Sequence, residues 1–199
     1  MCYRTYYLTE YRRKLNEMLR EEGLKQPECT LDRSGEMDIH PSEKAFVIHE
    51  EKGLIDTTEM VWGFSSPFGK SLIANARSET VKAKAMFSDS VLKRRCIIPV
   101  SGFYEWDAYK ARYRFFMPDG GLVLLAGIYH PEQGTDRFTV LTTEANGCMA
   151  PVHNRMPVMV SRSEIRMWIN DDSMCDEILR RRQQDLAKEQ DEGQISMFL

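Results

Sequence analysis

Glu105 is the residue whose sequence surroundings point most directly to chemistry. An apolar run from Cys96 to Val100 predicts a buried strand, and Gly102 interrupts the pattern just before Phe-Tyr-Glu-Trp at 103–106. A carboxylate between aromatic residues at the end of a buried strand is costly to ionise, so its pKa should rise. A raised pKa suits a general acid or base. The alternative is a strand-end Glu that pairs with an Arg or points into water.

Three other polar segments lie next to apolar runs and are candidates for the same site. They are Cys2 to Arg4 at the N-terminus, Asn75 to Glu79, and His153 to Pro157. Each has a plain structural alternative. A histidine before a strand is often a satisfied structural residue, the Asn75 amide can cap the following helix, and Arg77 with Glu79 can be a surface ion pair that adds little stability.

The composition predicts one soluble domain. The chain has 199 residues, of which 42% are hydrophobic and 29% charged, and no apolar run is long enough to cross a membrane. Five cysteines at scattered spacings and the absence of a secretory signal predict a reducing, cytoplasmic location. The absence of a CxxC pair or a close Cys/His cluster argues against structural zinc, and no cofactor is implied.

Charge is distributed unevenly along this acidic protein. The net charge of −3 argues against coating nucleic acid by bulk electrostatics. Between positions 70 and 95, however, seven basic residues accompany only two acidic ones. That segment is expected to form either one phosphate-binding face or a solvated charged surface.

The hydrophobic pattern predicts an α+β fold, a mostly antiparallel, barrel-like β core with peripheral helices. Thr9 should cap a helix that ends at Gly23, a helical region should span 78–92, and further helices should open at Ser163 and Ser173, the last reaching about Gln190. Strands are expected at 45–49, 60–64, 72–76, 113–117, 122–129, 138–143 and 157–160. Pro118 to Gly121 has the composition of a hairpin turn.

Taken together and in order, the four segments resemble the SOS-response-associated peptidase (SRAP) family. The matching motifs are Met-Cys with Arg4, Asn-Ala-Arg-x-Glu-Thr at 75–80, Arg-Arg-Cys-x-x-Pro with Gly-Phe-Tyr-Glu-Trp at 94–106, and His-x-Arg-Met-Pro at 153–157. The resemblance extends from residue 2 to about residue 170. It implies the SRAP fold over 1–192 and an enzyme that captures abasic sites in single-stranded DNA.

The resemblance also implies a mechanism. Removal of Met1 would expose the amine and thiol of Cys2, which together trap an aldehyde as a Schiff base and then a thiazolidine ring. Glu105 would move protons, His153 would act on the sugar hydroxyl and assist reversal, and Asn75 would orient the terminus or the sugar.

DNA contacts follow from the same resemblance. Arg4, Arg77 and Arg155 would hold the phosphates. Trp62 and Trp106 would stack on bases, with core packing as the alternative for both and more strongly for Trp106. Tyr3 departs from the usual family Gly, so its ring is expected to crowd or redirect access to Cys2.

The last residues, 193–199, resemble a peptide that binds a bacterial sliding clamp. Gln194 would fix the register by hydrogen bonds, while Met197 and Phe198 would enter an apolar groove. The alternatives are a tail docked on its own domain or a frayed end. We expect a monomer that binds single-stranded DNA, and a clamp through this tail, with no membrane partner.

Two other functions remain open on the sequence alone. Cys2 could serve as an N-terminal nucleophile of a peptidase, with Glu105 or His153 as the base, acting on Met1 or on other proteins. The chain could also be a non-catalytic module that binds single-stranded DNA or a clamp.

Overall fold

The computed structural model describes residues 2–27, 35–69 and 71–190. The strands are β1 (Thr5–Tyr7), β2 (Met37–Ile39), β3 (Lys44–Glu51), β4 (Leu54–Trp62), β5 (Phe64–Ser65), β6 (Leu72–Ile73), β7 (Asn75–Arg77), β8 (Arg95–Val100), β9 (Gly102–Trp106), β10 (Arg112–Phe116), β11 (Val123–Glu132), β12 (Thr135–Glu144), β13 (Arg155–Pro157) and β14 (Ala187–Gln190). The helices are α1 (Tyr11–Glu21), α2 (Ala85–Lys93), α3 (Ile165–Asn170) and α4 (Asp172–Arg180), with a short 3-10 turn at Arg162–Glu164.

The larger sheet closes on itself. Its strands follow the order β11-β8-β3-β4-β12-β13, and an additional β11–β12 pairing completes the ring, while β7 attaches to β12. The pairings are antiparallel except β12 with β4 and with β7. Every residue of β8 is buried, because one face of this strand lines the closed core and helix α3 covers the other. The predicted α+β class with a barrel-like core is confirmed.

A second, five-stranded sheet has the order β14-β10-β9-β1-β2. It connects to the closed sheet through Ser101, between β8 and β9. The Ser101 hydroxyl accepts a hydrogen bond from the Leu8 amide at 2.9 Å. Because β1 pairs with both β2 and β9, the extreme N-terminus is held inside this sheet.

Several predicted boundaries are wrong. Glu10, not Thr9, is the N-cap of α1, and no side chain caps it. The helical region expected from 78 begins only at Ala85, after a series of turns. The strand expected at 72–76 is divided into β6 and β7, and the one expected at 157–160 is centred earlier, at β13.

Two errors concern which elements meet. The segment Pro118–Gly121 does reverse the chain, but it joins β10 and β11, which belong to different sheets. The helix expected to reach Gln190 ends at Arg180, and Ala187–Gln190 pairs instead with β10. The free edge of β10 offers unpaired backbone groups, and satisfying them outweighs the local helical pattern.

Among the described residues, no helix has the length and apolar character needed to span a membrane.

Candidate active site

Strand register brings Cys2 to Glu105. Strand β1 runs antiparallel to β9 with Thr5 opposite Phe103, and the Tyr104 amide donates to the Arg4 carbonyl at 2.9 Å. Continuing that register toward the N-terminus carries Cys2 alongside the segment 105–106. Cys2 is 1% exposed and Glu105 is 3% exposed, so the thiol and the carboxyl group share a buried site.

The electrostatics of the two groups agree with this placement. Burial raises the pKa of the Cys2 thiol, and the charge of Glu105 raises it further. Burial also raises the pKa of Glu105, while the charge of His153 acts in the opposite direction. These influences require short separations, so Cys2, Glu105 and His153 lie in one neighbourhood. A carboxyl group whose pKa is raised in this way keeps its proton to higher pH than an exposed one, which suits it to act as a proton donor or acceptor.

Asn75 anchors the main chain of Cys2. It begins β7, which lies parallel to β12 with Asn75 opposite Val140. The Asn75 Nδ2 group donates a 2.8 Å hydrogen bond to the Cys2 carbonyl oxygen. The Asn75 Oδ1 atom is buried and accepts no hydrogen bond from the described residues. The amide therefore fixes the main chain at Cys2 and has one buried acceptor that the described residues do not use.

His153 is presented by a turn rather than by a strand. Its Nδ1 atom lies 3.0 Å from the Arg155 amide, which donates to it, and 3.3 Å from the Arg155 carbonyl oxygen. With Nδ1 as an acceptor, the proton of the neutral ring resides on Nε2; when Nδ1 is protonated it can donate to the carbonyl instead. The same backbone segment thus supports the ring in both protonation states.

The three arginines that were predicted to bind phosphate differ in whether the protein's own side chains already bind them. Arg4 forms an ion pair with Asp38 and lies over the Tyr104 ring, 5.5 Å from its centroid. Arg155 binds both carboxylate oxygens of Glu79, at 2.6 and 2.9 Å. Arg77 is exposed at the end of β7, with no ion pair to the described residues. Only Arg77 is available to a phosphate without first losing a partner.

The prediction that Trp62 stacks on DNA bases is wrong for this conformation. Its ring is 1% exposed and stacks on Phe138, and Nε1 donates to the Ala74 carbonyl at 2.9 Å. A base cannot reach either face. Trp106 is instead half-buried, so the expected ranking of the two tryptophans is reversed. The apolar residues of β4 do not alternate along the strand, so its sequence contains no clear signal that Trp62 is a core residue.

Phe68 was not predicted from the sequence as a functional residue. It is the most exposed large hydrophobic residue among the described residues, with a relative exposure of 96%. It lies in the loop between β5 and β6, a few residues before Asn75. A Pro-Phe-Gly tripeptide between two short strands was the available signal.

The basic segment at 70–95 does not form one phosphate-binding face in its described part. Lys82 pairs with Asp176, while Lys93 and Arg94 both pair with Asp89. Arg95 is 4% exposed and donates to the carbonyls of Trp168, Val91, Leu92 and Ile169 and to Asp172. It joins the ends of α2 and α3, which is a structural role.

Gln194, Met197 and Phe198 lie outside the described residues, so the clamp peptide stays a prediction. Within the ranges 2–27, 35–69 and 71–190, no group of three His, Cys, Asp or Glu residues is arranged to hold a metal ion.

The chain is 29% identical over 147 residues to abasic site processing protein YoaM of Bacillus subtilis. The match covers 67% of this chain and 65% of YoaM, so the chain spans just under two thirds of that relative's length. It is 23% identical over 143 residues to YedK of Escherichia coli, covering 68% and 64%. YedK is also named an abasic site processing protein.

Solved structures share the fold. A protein from Bordetella bronchiseptica superposes with a TM-score of 0.77 at 21% identity, covering 95% of this chain and 99% of the other. A protein from Bacteroides thetaiotaomicron gives 0.74 at 19% identity, covering 95% and 91%. The profile of one family, described as SOS response associated peptidase (SRAP), matches residues 1–197. The chain therefore belongs to the SRAP family.

Proposed function

We propose that this protein processes abasic sites in single-stranded DNA by forming a covalent link through Cys2. The observation that carries the proposal is a buried Cys2, held by its carbonyl to Asn75, beside a buried Glu105 whose pKa is raised. The names of the relatives YoaM and YedK support the substrate class.

The first step is a condensation. After Met1 is removed, the α-amine of Cys2 attacks the aldehyde carbon of the ring-opened sugar, and a C–N bond forms. Protonated Glu105 donates to the departing hydroxyl, which leaves as water, and the nitrogen keeps its remaining proton, so a protonated imine forms. Because burial raises the pKa of this carboxyl group above its ordinary value, Glu105 holds its proton to higher pH than an exposed carboxyl group and can donate it in this step.

The second step closes a ring. The Cys2 thiol adds to the carbon of the protonated imine and a C–S bond forms, while the C=N electron pair moves to nitrogen and neutralises its charge. Burial raises the pKa of this thiol, so sulfur must lose its proton as it attacks. Ionised Glu105 accepts that proton and returns to its starting state. The net change is loss of one water, with no oxidant or reductant.

The neighbouring residues hold the reactants. Asn75 fixes the Cys2 main chain, and its buried Oδ1 is available to a sugar hydroxyl. In the neutral ring, His153 carries a proton on Nε2 that can donate a hydrogen bond to the sugar oxygen during reversal. Arg77 would bind a flanking phosphate, Arg4 and Arg155 would do so after releasing Asp38 and Glu79, and Trp106 would contact a base.

The decisive experiment uses an oligonucleotide with one abasic site. Wild type should give an adduct that survives denaturation, and Cys2→Ala should give none. Cys2→Ser should give an imine that borohydride traps but that does not close into a stable ring, because the amine remains and the thiol is lost. An undamaged oligonucleotide is the control.

Two outcomes would contradict the mechanism. A normal adduct from Cys2→Ala would remove Cys2 from the reaction. Cleavage of a foreign peptide by wild type, with no DNA adduct, would favour the peptidase function instead.

The tail carries a separate proposal. Residues 193–199 bind a bacterial sliding clamp, with Gln194, Met197 and Phe198 as the contacts. Deletion of 194–199 should abolish co-elution with the clamp and leave crosslinking to short oligonucleotides unchanged. Retained co-elution would disprove the proposal.

A further inference from the structure

Asn146 lies at the junction between β12 and the turn that carries His153. It is 9% exposed, and both ends of its amide are used. The Nδ2 group donates to the carbonyls of Gln183 and Gln184 and to Asp185 Oδ1, at 3.1, 3.0 and 3.0 Å. These three acceptors belong to the segment between α4 and β14, which we call the strap (183–186).

The other end of the amide organises the turn. Asn146 Oδ1 accepts hydrogen bonds from the amides of Cys148 and Met149, at 3.2 and 3.3 Å, and from Cys148 Sγ at 2.9 Å. The Met149 carbonyl in turn accepts from the His153 amide at 3.0 Å. A continuous set of hydrogen bonds therefore runs from the strap through Asn146 to the backbone of His153.

The side chain of Gln183, also in the strap, holds the chain on the C-terminal side of the same turn. The Gln183 side chain, 3% exposed, accepts from the Met159 amide at 2.7 Å and donates to the Arg181 carbonyl at 3.1 Å. The strap thus contacts the chain both before and after His153. A hydrophobic residue at position 146 would leave three acceptors and two turn amides without their partner.

We propose that Asn146 is a positioning residue that sets the location of His153 relative to Glu105 and Cys2 through the strap. The inference rests on the proposed function, in which His153 acts on the sugar oxygen. It extends that function by adding Asn146, a buried residue far from Cys2 in sequence, as a residue that positions His153.

A double-mutant cycle tests the inference. Asn146→Ala should slow crosslink reversal by roughly 2- to 150-fold, the range of coupling between residues of one network. In a His153→Ala background the same substitution should change the rate by less than about twofold, because its effect acts through the imidazole. Equal losses in both backgrounds would overturn the inference.

Asn146→Asp tests the donor end of the amide separately from its acceptor end. The new carboxylate still accepts from Cys148 and Met149, but it faces two carbonyls and Asp185 instead of donating to them. Reversal should be slow at neutral pH and recover toward wild type as the pH falls, because a protonated carboxyl group can donate again. A loss that does not vary with pH would contradict the role of the strap.

Asp171→Ala is the matched stability control. It removes the N-terminal cap of α4, a bond of 2.8 Å to the Ser173 amide, and should lower the unfolding midpoint as the loss of a helix cap does, without touching the turn. If it slows reversal as much as Asn146→Ala, the effect of Asn146 is general destabilisation and the inference fails.

An NMR measurement keeps this test independent of the proposed function. The chain has four histidines, at 40, 49, 130 and 153. Asn146→Ala should move the ring signals of His153 and leave the other three in place. Unmoved His153 signals would disprove the positioning role, whereas an absent DNA adduct in wild type would disprove only the proposed function.

Discussion

Two parts of the site are held in place by different means: β-strands position Cys2 and Glu105, whereas a turn positions His153. Glu105 lies within β9, between β1 and β10, and Cys2 precedes β1. The β9 ladder fixes Glu105, and the β1–β9 pairing together with the hydrogen bond from Asn75 to the Cys2 carbonyl fixes Cys2. His153 lies on a turn whose shape depends on Asn146 and on the Arg155 amide.

The positions of Cys2 and Glu105 should therefore tolerate most side-chain substitutions, whereas the position of His153 should be sensitive to them. A ladder distributes the position of a residue over many backbone hydrogen bonds, each of which survives side-chain substitution. A turn held by one amide loses its geometry when that amide is lost. Substitutions that move β9 should abolish activity together with stability, whereas those near His153 should alter rates while the fold persists.

Gly102→Ala should have the largest effect. A Cβ atom at this position would lie 2.3 Å from the Phe115 carbonyl oxygen and 2.3 Å from the Tyr6 hydroxyl, so β10 would have to move away from β9. We expect a loss of about 1–3 kcal/mol in the free energy of unfolding, with crosslinking abolished. Urea denaturation and the adduct assay measure both.

The control for this prediction is Gly147→Ala, near the His153 turn. No atom lies within 4 Å of its added Cβ, so stability should change by less than about 0.5 kcal/mol. A stable, fully active Gly102→Ala would show that β9 does not fix the site.

Glu105→Gln should lower the crosslinking rate by about 10²- to 10⁴-fold, the usual contribution of a general acid or base. The same substitution, which lowers the rate, should increase stability relative to wild type as the pH rises. Burial raises the folded-state pKa above the ordinary 4.5, so wild type loses stability as the pH rises from about 4.5 through the folded pKa. Glu105→Gln lacks that loss.

Thermal unfolding across pH 4–9 checks this sign. The stability difference between Glu105→Gln and wild type should grow in favour of the variant with rising pH. A difference that does not change over this range would mean that the carboxyl group does not titrate as burial requires.

Glu79→Gln should have a smaller effect, confined to the His153 side. The hydrogen bond from Arg155 lowers the pKa of Glu79, so the pair stabilises the fold above the ordinary pKa and is lost as the pH falls through the lowered value. The Glu79 side chain is 46% exposed, so we expect less than about 1 kcal/mol. Release of Arg155 to a phosphate should steepen the salt dependence of single-strand binding by about 0.7 in slope.

Glu144→Gln is the matched control for Glu79→Gln. Glu144 lies opposite Arg155 in the β12–β13 ladder and forms no ion pair with the described residues. It should leave the salt dependence unchanged. The same steepening in both variants would mean that net charge, and not Arg155, is responsible.

Tyr3→Ala should have the smallest effect. The ring is 46% exposed and makes no hydrogen bond or ring contact with the described residues, so its removal breaks no such interaction in this conformation. Stability should change by less than about 0.5 kcal/mol, and the crosslinking rate should stay within about twofold. A rate change above roughly tenfold would place the ring against the bound DNA.

Much of the fold was predictable because it depends on local pattern. Continuous burial in β8 follows from the apolar run at 96–100, and the helical spacing of Tyr11, Leu15, Met18 and Leu19 predicts the buried face of α1. The strand partners were not predictable. The edge of β10 recruits Ala187–Gln190, residues whose own pattern favours a helix.

For the site, the sequence by itself determined the chemistry-bearing residues, because a thiol, an amide, a carboxyl group and an imidazole are fixed by residue type. The local pattern also predicted a raised pKa for Glu105, which its burial in the folded chain produces. The partners of each side chain required the folded chain: Trp62 lies in the core, and Arg95 links α2 and α3. Such partners come from residues far away along the chain, and no local pattern specifies them.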